Sequence, residues 1–182
     1  MITLIDHRDS FTRNLEHLLA EFDRVRIIDR KSFSSSDIAS SRLLVFSPGP
    51  GNPGDYPESQ IIYRNAKGKI PILGVCLGFQ LIIEEEGGII IRQSQVLHGV
   101  ETEIEFDSTS QTYAGLSNPL MVGRYHSLQI DGQSLGSVSS DIIITSTDPI
   151  RQTPLSFEDR KRRIYGLQFH PESFLTGQGR KI

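Results

Sequence analysis

The sequence has only one cysteine, Cys76, among its 182 residues. A single cysteine excludes an internal disulfide, which is typical of proteins from a reducing compartment. No apolar run approaches the roughly 20 residues that a membrane-spanning helix needs. The first residues, Met1 to Asp6, also lack the basic start of a secretory signal. We therefore expect a cytoplasmic protein that has no membrane partner.

An excess of positive charge is missing too. The chain carries 19 lysines and arginines against 22 aspartates and glutamates, which gives a net charge of −3 and no electrostatic attraction to nucleic acid. The one dense basic run, Arg160 to Arg163, follows two acidic residues and predicts a solvated hairpin turn before a strand. Repeats, low-complexity tails and linkers are also absent, so we expect one domain that spans residues 1–182.

Short apolar segments alternate with helix-compatible segments in the first half of the chain. Strands are predicted at 2–5, 25–28, 43–46 and 70–75, helices at 11–22 and 59–67, and a serine-rich loop or weak helix at 32–41. Such alternation is typical of a parallel sheet that is covered on both faces. After Gly88, strands predicted at 89–91, 102–106, 120–122, 142–144 and 163–169 indicate a mixed or antiparallel part. The fold class is therefore α/β, a single-domain, open, mostly parallel sheet flanked by helices with extra antiparallel strands.

The single cysteine lies in a Gly-x-Cys-x-Gly pattern, with Gly74 and Gly78 two residues to either side of Cys76. A buried strand precedes the cysteine and an apolar helix follows it, as in a nucleophile elbow. The sharp turn needs glycines because side chains at these positions would clash with neighbouring chain. The helix N-terminus also favours negative charge on the sulfur. The pattern predicts a nucleophile, and the alternative is a small buried cysteine at a strand end.

A base and a carboxylate follow the last predicted strand, in Phe169-His170-Pro171-Glu172-Ser173. A thiol nucleophile needs a base, and the base needs a group that fixes its tautomer. Cys76, His170 and Glu172 supply that set, each at the carboxyl end of a predicted strand, where catalytic groups of open α/β sheets lie. His170 alone would be interpreted as a capping or surface histidine, but with the elbow it is predicted to be catalytic.

The third predicted strand leads into a loop rich in glycine and proline, Ser47 to Gly54. The loop lacks the Gly-Lys-Ser/Thr sequence of a phosphate-binding loop. We expect it to aim backbone N–H groups, so that Gly51 and Leu77 together form an oxyanion hole. The alternative is a rigid surface turn.

Six motifs along the whole chain together resemble the triad, or class I, glutamine amidotransferases. They are Asp9-Ser10-Phe11-Thr12, the segments 47–51 and 74–80, His98-Gly99, and the segments 124–128 and 168–173. Within that family, Pro-Gly-Pro-Gly and Arg-Tyr-His-Ser-Leu favour the small subunits (component II) of anthranilate synthase and aminodeoxychorismate synthase. The resemblance implies a class I glutamine amidotransferase-like, flavodoxin-like fold.

The resemblance also implies a mechanism in which Cys76 attacks the side-chain amide of L-glutamine, His170 transfers protons and Glu172 orients the imidazole. The residues it implies at the glutamine are Gly49, Pro50, Gly51, Gln80, Ser127 and Leu128. It implies no metal or other cofactor in this chain. The ammonia would pass to a chorismate-binding synthase subunit (component I), itself Mg²⁺-dependent, in a hetero-oligomer.

Two other functions stay open, a stand-alone γ-glutamyl hydrolase on the same fold and a non-catalytic interaction subunit. Four positions depart from the family's pattern. Phe79 replaces a histidine, Val100 stands where a lysine is usual, and His7-Arg8 stands where Asn-Tyr is common. We expect Phe79 to pack beside the elbow, and the other three to affect the partner surface.

Overall fold

The computed structural model describes residues 1–182 as eleven strands, four α-helices and four short 3₁₀ turns. The strands are β1 (Ile2–Asp6), β2 (Val25–Asp29), β3 (Leu43–Phe46), β4 (Ile72–Val75), β5 (Ile90–Arg92), β6 (Val100–Phe106), β7 (Leu120–Arg124), β8 (Leu128–Ile130), β9 (Ile143–Thr147), β10 (Pro154–Asp159) and β11 (Ile164–Leu167). The helices are α1 (Thr12–Ala20), α2 (Ser35–Ser40), α3 (Pro57–Ala66) and α4 (Leu77–Glu85). The 3₁₀ turns are Arg30–Ser32, Pro53–Asp55, Gly132–Ser137 and Gly179–Lys181.

Nine strands form one sheet in the order β2-β1-β3-β4-β11-β10-β9-β6-β7. The neighbours from β2 to β11 are parallel, and those from β11 to β7 are antiparallel. Strands β5 and β8 pair separately as a two-stranded antiparallel sheet. The predicted α/β fold, with a helix-flanked parallel part and added antiparallel strands, is confirmed. None of the helices has the length and apolar character that crossing a bilayer requires.

The central parallel strands β3 and β4 carry no polar side chain, because helices cover both of their faces. Successive side chains of a strand point to opposite faces. In β3, Leu44 and Phe46 therefore join the core cluster that includes residues of α3 and α4, whereas Val45 joins the cluster that includes Leu15 and Leu19 of α1. The spacing of four residues between Leu15 and Leu19 places both on one helix face. Burial on both faces fixes the register, and with it the positions of the strand ends.

Two strands, β8 and β10, were not predicted from the sequence. Strand β10 ends in Glu158 and Asp159, whose side chains are buried although they are charged. Arg160 pairs with Glu158 (Nε–Oε2 2.8 Å), and Arg162 pairs with Asp159. The basic run forms the turn between β10 and β11, as expected, and three of its four residues are exposed. Arg160 and Arg162 in addition neutralise buried carboxylates, a role that the sequence did not predict.

Candidate active site

The cysteine stands at the sharp turn between β4 and α4. Cys76 has φ 52° and ψ −98°, a backbone conformation that is rare for a residue with a side chain and that marks strain at functional sites. A Cβ at Gly78 would lie 2.4 Å from the carbonyl oxygen of Phe46, and one at Gly74 would lie 2.5 Å from the backbone of Gly78. Both glycines are therefore needed for α4 to pack against β3 and β4.

The histidine and glutamate reach the same point from the neighbouring strand. Strand β11 pairs with β4 in parallel, and the N–H of Cys76 donates to the carbonyl of Leu167 (2.8 Å). The chain then turns, and the N–H of His170 donates to the carbonyl of Gly123 (3.0 Å). The ring Nδ1 of His170 lies 2.7 Å from Oε1 of Glu172, and both side chains are almost fully buried. Because a carboxylate only accepts, the proton lies on Nδ1 and Nε2 is left for the thiol.

The electrostatics of His170 follow from its two anionic neighbours. Burial alone would lower the pKa of His170. The charge of Cys76 and its interaction with the ring, together with Glu172, instead raise the pKa to about 10. No atom of the chain meets hydrogen-bond geometry with Nε2, so this nitrogen has no competing partner. The site is thus arranged to keep the imidazole of His170 protonated at neutral pH, between Cys76 and Glu172.

Two aromatic residues enclose the histidine ring, and sequence reasoning assigned neither of them a role. Phe11 and Tyr125 each have their ring centroid 5.0 Å from that of His170. The hydroxyl of Tyr125 lies 2.9 Å from Oγ of Ser173, which ties this ring to the segment that carries the base. Both aromatics lie inside motifs already noted, and that position was the only signal in the sequence. They exclude water from the His170 ring and limit its rotation.

The loop that follows β3 lies against the first turn of α4, as the sequence predicts. A Cβ at Gly49 would lie 2.4 Å from Cδ2 of Leu77, so the loop backbone approaches the helix closely. Gly51 has φ +77°, a conformation that favours glycine. The N–H groups of Gly51 and Leu77 donate to no acceptor within the chain. Both are therefore available to an external oxyanion.

His7 holds this loop in place from inside the protein. The residue is buried, and its ring Nδ1 lies 2.9 Å from the carbonyl oxygen of Ser47 while Nε2 lies 2.9 Å from Oγ of Ser59. Burial lowers the pKa of His7 to about 4, so the ring is neutral at neutral pH. Arg8 and Val100 are exposed, as a partner surface requires. Phe79 packs in the core against Phe157 beside the elbow, as expected.

The remaining predicted glutamine contacts lie around the same helix. Gln80 is buried on α4, and its Nε2 donates to Oε1 of Gln168 (3.0 Å) and to the carbonyl of Leu128 (3.4 Å). The carbonyl of Pro50 accepts from the hydroxyl of Tyr56 (2.7 Å). Ser127 is partly exposed and directly precedes β8. No three His, Cys, Asp or Glu side chains are grouped to hold a metal ion.

A cysteine on a strained elbow, an anion-flanked histidine and two unpaired N–H groups define a thiol hydrolase or acyl transferase on an α/β fold. Comparison with known families makes the class specific. Residues 3–182 match the model of the family described as glutamine amidotransferase class-I. The chain belongs to this family.

Relatives resemble the chain over nearly its whole length. Anthranilate synthase component 2 of Lactococcus lactis is 36% identical over 98% of this chain and 89% of the relative. Aminodeoxychorismate synthase component 2 of Escherichia coli is 35% identical over 100% of this chain and 96% of the relative. The Bacillus subtilis protein named aminodeoxychorismate/anthranilate synthase component 2 is 36% identical over 100% and 93%.

Solved structures confirm the fold. A protein from Thermoplasma acidophilum superimposes with a TM-score of 0.84 at 22% identity, over 99% of this chain and 88% of its own. A glutamine amidotransferase from Thermotoga maritima superimposes with a TM-score of 0.74 at 19% identity, over 94% of this chain and 75% of its own. At such identities the likeness extends to the fold alone.

Proposed function

We propose that this chain is the glutaminase subunit of a chorismate-converting synthase, either anthranilate synthase or aminodeoxychorismate synthase. Two observations carry the proposal: Cys76, His170 and Glu172 form a buried set, and the N–H groups of Gly51 and Leu77 donate to no acceptor in the chain. The component 2 relatives, similar over the full chain, support the choice of synthase. One such relative carries both synthase names, so a shared subunit is included in the proposal.

The reaction begins when the sulfur of Cys76 attacks the side-chain carbonyl carbon of glutamine. The new C–S bond pushes the carbonyl electron pair onto oxygen, where the N–H groups of Gly51 and Leu77 stabilise it. As the C–N bond breaks, Nε2 of His170 donates a proton and ammonia leaves. Water then attacks the thioester, returns a proton to His170, and releases glutamate and the thiolate.

Binding of the amino acid is assigned to Gly49, Pro50, Gly51, Gln80, Ser127 and Leu128, which lie on the loop after β3, on α4 and at the start of β8. The ammonia passes to a chorismate-binding component I subunit in a hetero-oligomer. The chain itself uses no cofactor in this proposal, and the Mg²⁺ requirement belongs to the partner. We place the protein in the cytoplasm, where its single cysteine would remain reduced.

The test mixes chorismate, glutamine or ammonium, and each candidate synthase subunit, with and without this chain. Product from glutamine should appear only when the chain is present, and anthranilate or aminodeoxychorismate identifies the partner. Cys76→Ser should abolish product from glutamine while product from ammonium stays, because the synthase subunit is untouched. Unchanged use of glutamine by Cys76→Ser would refute the proposal. Cleavage of glutamyl peptides faster than glutamine, without any synthase, would instead favour the stand-alone hydrolase.

A further inference from the structure

A fully buried charged pair lies beside the proposed glutamine pocket and has no role in the mechanism above. Arg124, the last residue of β7, donates through Nη1 to Oδ2 of Asp148 (2.5 Å), and their side chains are 0% and 1% exposed. Asp148 also pairs with Arg151 (3.2 Å). Burying such ions is costly, and a pair of apolar residues is often as stable. Stability alone is therefore a weak reason for placing an arginine here.

The arginine fixes the state of a neighbouring histidine. Its Nε donates to Nε2 of His126 (3.0 Å). Since a guanidinium has no acceptor, Nε2 must accept, and the ring proton must lie on Nδ1. That nitrogen lies 2.7 Å from the carbonyl oxygen of Leu128 and donates to it. Burial and the charge of Arg124 lower the pKa of His126 to about 3, so the ring stays neutral and in one tautomer at physiological pH.

The carbonyl of Leu128 joins this chain of hydrogen bonds to the nucleophile's helix. It accepts from His126 and also from Nε2 of Gln80 (3.4 Å). Gln80 lies one turn into α4, where its N–H donates to the carbonyl of Cys76 (3.1 Å). Two donors use both lone pairs of this carbonyl. The orientation of the Leu128 peptide is therefore set from both sides.

The segment that needs this support is the turn between β7 and β8. Tyr125, His126 and Ser127 lie outside both strands, and β8 has only three paired residues. The N–H of Ser127 donates to no acceptor in the chain, so it is free for a ligand. The carbonyls of His126 and Ser127 accept from the N–H groups of Leu97 (3.2 Å) and Gln93 (2.9 Å), which ties the turn to the 93–97 segment. The His126 ring adds a separate tie, to the Leu128 carbonyl that Gln80 shares.

We propose that Asp148, Arg124 and His126 are positioning residues that hold the 126–128 turn and Gln80 in the geometry that binds the amino-acid substrate. The inference rests on the proposed function and deepens it. The three residues do not touch the reacting atoms. They act through the Leu128 carbonyl, so their loss should weaken the recognition of glutamine while the thiol keeps its own reactivity.

The test compares His126→Leu, which removes both ring hydrogen bonds, with His126→Asn, whose side-chain N–H can still reach the Leu128 carbonyl. One lost hydrogen bond of ordinary strength corresponds to about a tenfold change in binding. We expect His126→Leu to raise KM for glutamine about tenfold with kcat changed less than threefold, and His126→Asn to recover most of the loss. His17→Asn, an exposed histidine on α1, is the matched control.

A second readout separates substrate recognition from folding and from the nucleophile. Cys76 is alkylated by iodoacetamide, which has no amino-acid part, and by a chloroketone analogue of glutamine, and mass spectrometry gives both rates. His126→Leu should slow only the chloroketone. Asp148→Asn, which keeps the side-chain shape, should also slow only the chloroketone reaction, to a smaller extent. This variant replaces His126→Leu in the test if His126→Leu does not fold. Equal loss of both rates, or no change in KM in any folded variant, would overturn the inference. A wild-type chain that neither hydrolyses glutamine with the synthase nor prefers the chloroketone would instead refute the proposed function.

Discussion

Replacing Glu172 by glutamine tests how the chain activates its histidine. The substitution keeps an oxygen that can accept from Nδ1 of His170 but removes the negative charge from a contact of 2.7 Å between two buried side chains. The other carboxylate oxygen, Oε2, is buried without a partner, so nothing else in the chain compensates for its charge. The variant therefore isolates the electrostatic part of the contact, with little change of shape.

The size of the effect follows from the burial of the pair. A hydrogen bond to a charged group contributes about 1.5–3 kcal/mol, and breaking a buried charge pair costs about 3–5 kcal/mol. We take about 2–4 kcal/mol as the loss of transition-state stabilisation in the variant, because the neutral hydrogen bond remains. At about 1.4 kcal/mol per tenfold change, this predicts a kcat/KM lower by roughly 30- to 700-fold. The pKa of His170, raised to about 10 partly by Glu172, should also fall.

The assay is glutamate formation with the synthase partner between pH 6 and 11, with the exposed Glu103→Gln on β6 as control. His170 must be protonated to release ammonia, so the wild-type rate should fall as pH rises through about 10. In Glu172→Gln this loss should begin at lower pH. A folded variant with less than a threefold change and the same alkaline limit would refute the reasoning. It would mean that Glu172 contributes only shape.

Three further predictions concern the scaffold. Gly78→Ala puts a Cβ 2.4 Å from the carbonyl oxygen of Phe46, so α4 must shift. We expect kcat/KM to fall at least tenfold and the free energy of unfolding, measured in urea, to fall by about 1–3 kcal/mol. Wild-type values for both would contradict the elbow geometry. Burial holds the pKa of His7 near 4 and that of His126 near 3, below the usual 6.5, so the unfolded chain binds more protons as pH falls from 6.5 to 4. The free energy of unfolding should then fall by about 1.4 kcal/mol per pH unit for each histidine, and His7→Asn should remove about half of this slope in urea titrations at pH 7 and 5. Arg162→Met leaves the buried carboxylate of Asp159 without a cation, whereas Glu86 keeps Lys67, and it should lower the free energy of unfolding by about 3–5 kcal/mol, while kcat/KM per folded molecule stays at the wild-type value; a lower value in folded protein would connect this ion pair to the site.

Sequence reasoning found those features of the fold and of the site that are encoded by residues close together in the chain. The elbow around Cys76 needs glycines at fixed spacing, and the central parallel strands β3 and β4 are unbroken apolar runs. Strand β10 was missed because Glu158 and Asp159, taken alone, indicate exposure. Their burial depends on arginines that reach them only after the hairpin has formed.

The relay through Arg124 and His126 was missed for a related reason. Both residues belong to a segment already noted as a motif, yet the partner that explains the buried arginine, Asp148, lies on a different part of the chain. The burial of His7 was missed for the same lack of information, since its partners Ser47 and Ser59 are 40 and 52 residues away. Side-chain hydrogen bonds between distant segments have no periodic pattern that a sequence displays.

The position of β11 has a consequence for how the molecule is made. Of the eleven strands, β11 leaves the ribosome last, yet it is the fifth of nine in the sheet, between β4 and β10. Contacts between segments so far apart in sequence form slowly, and we expect its amides to be the last protected in pulsed hydrogen exchange. Until β11 inserts, His170 is not held beside Cys76. On the proposed mechanism, an incomplete chain therefore cannot consume glutamine, and activity requires that the two halves of the chain are joined.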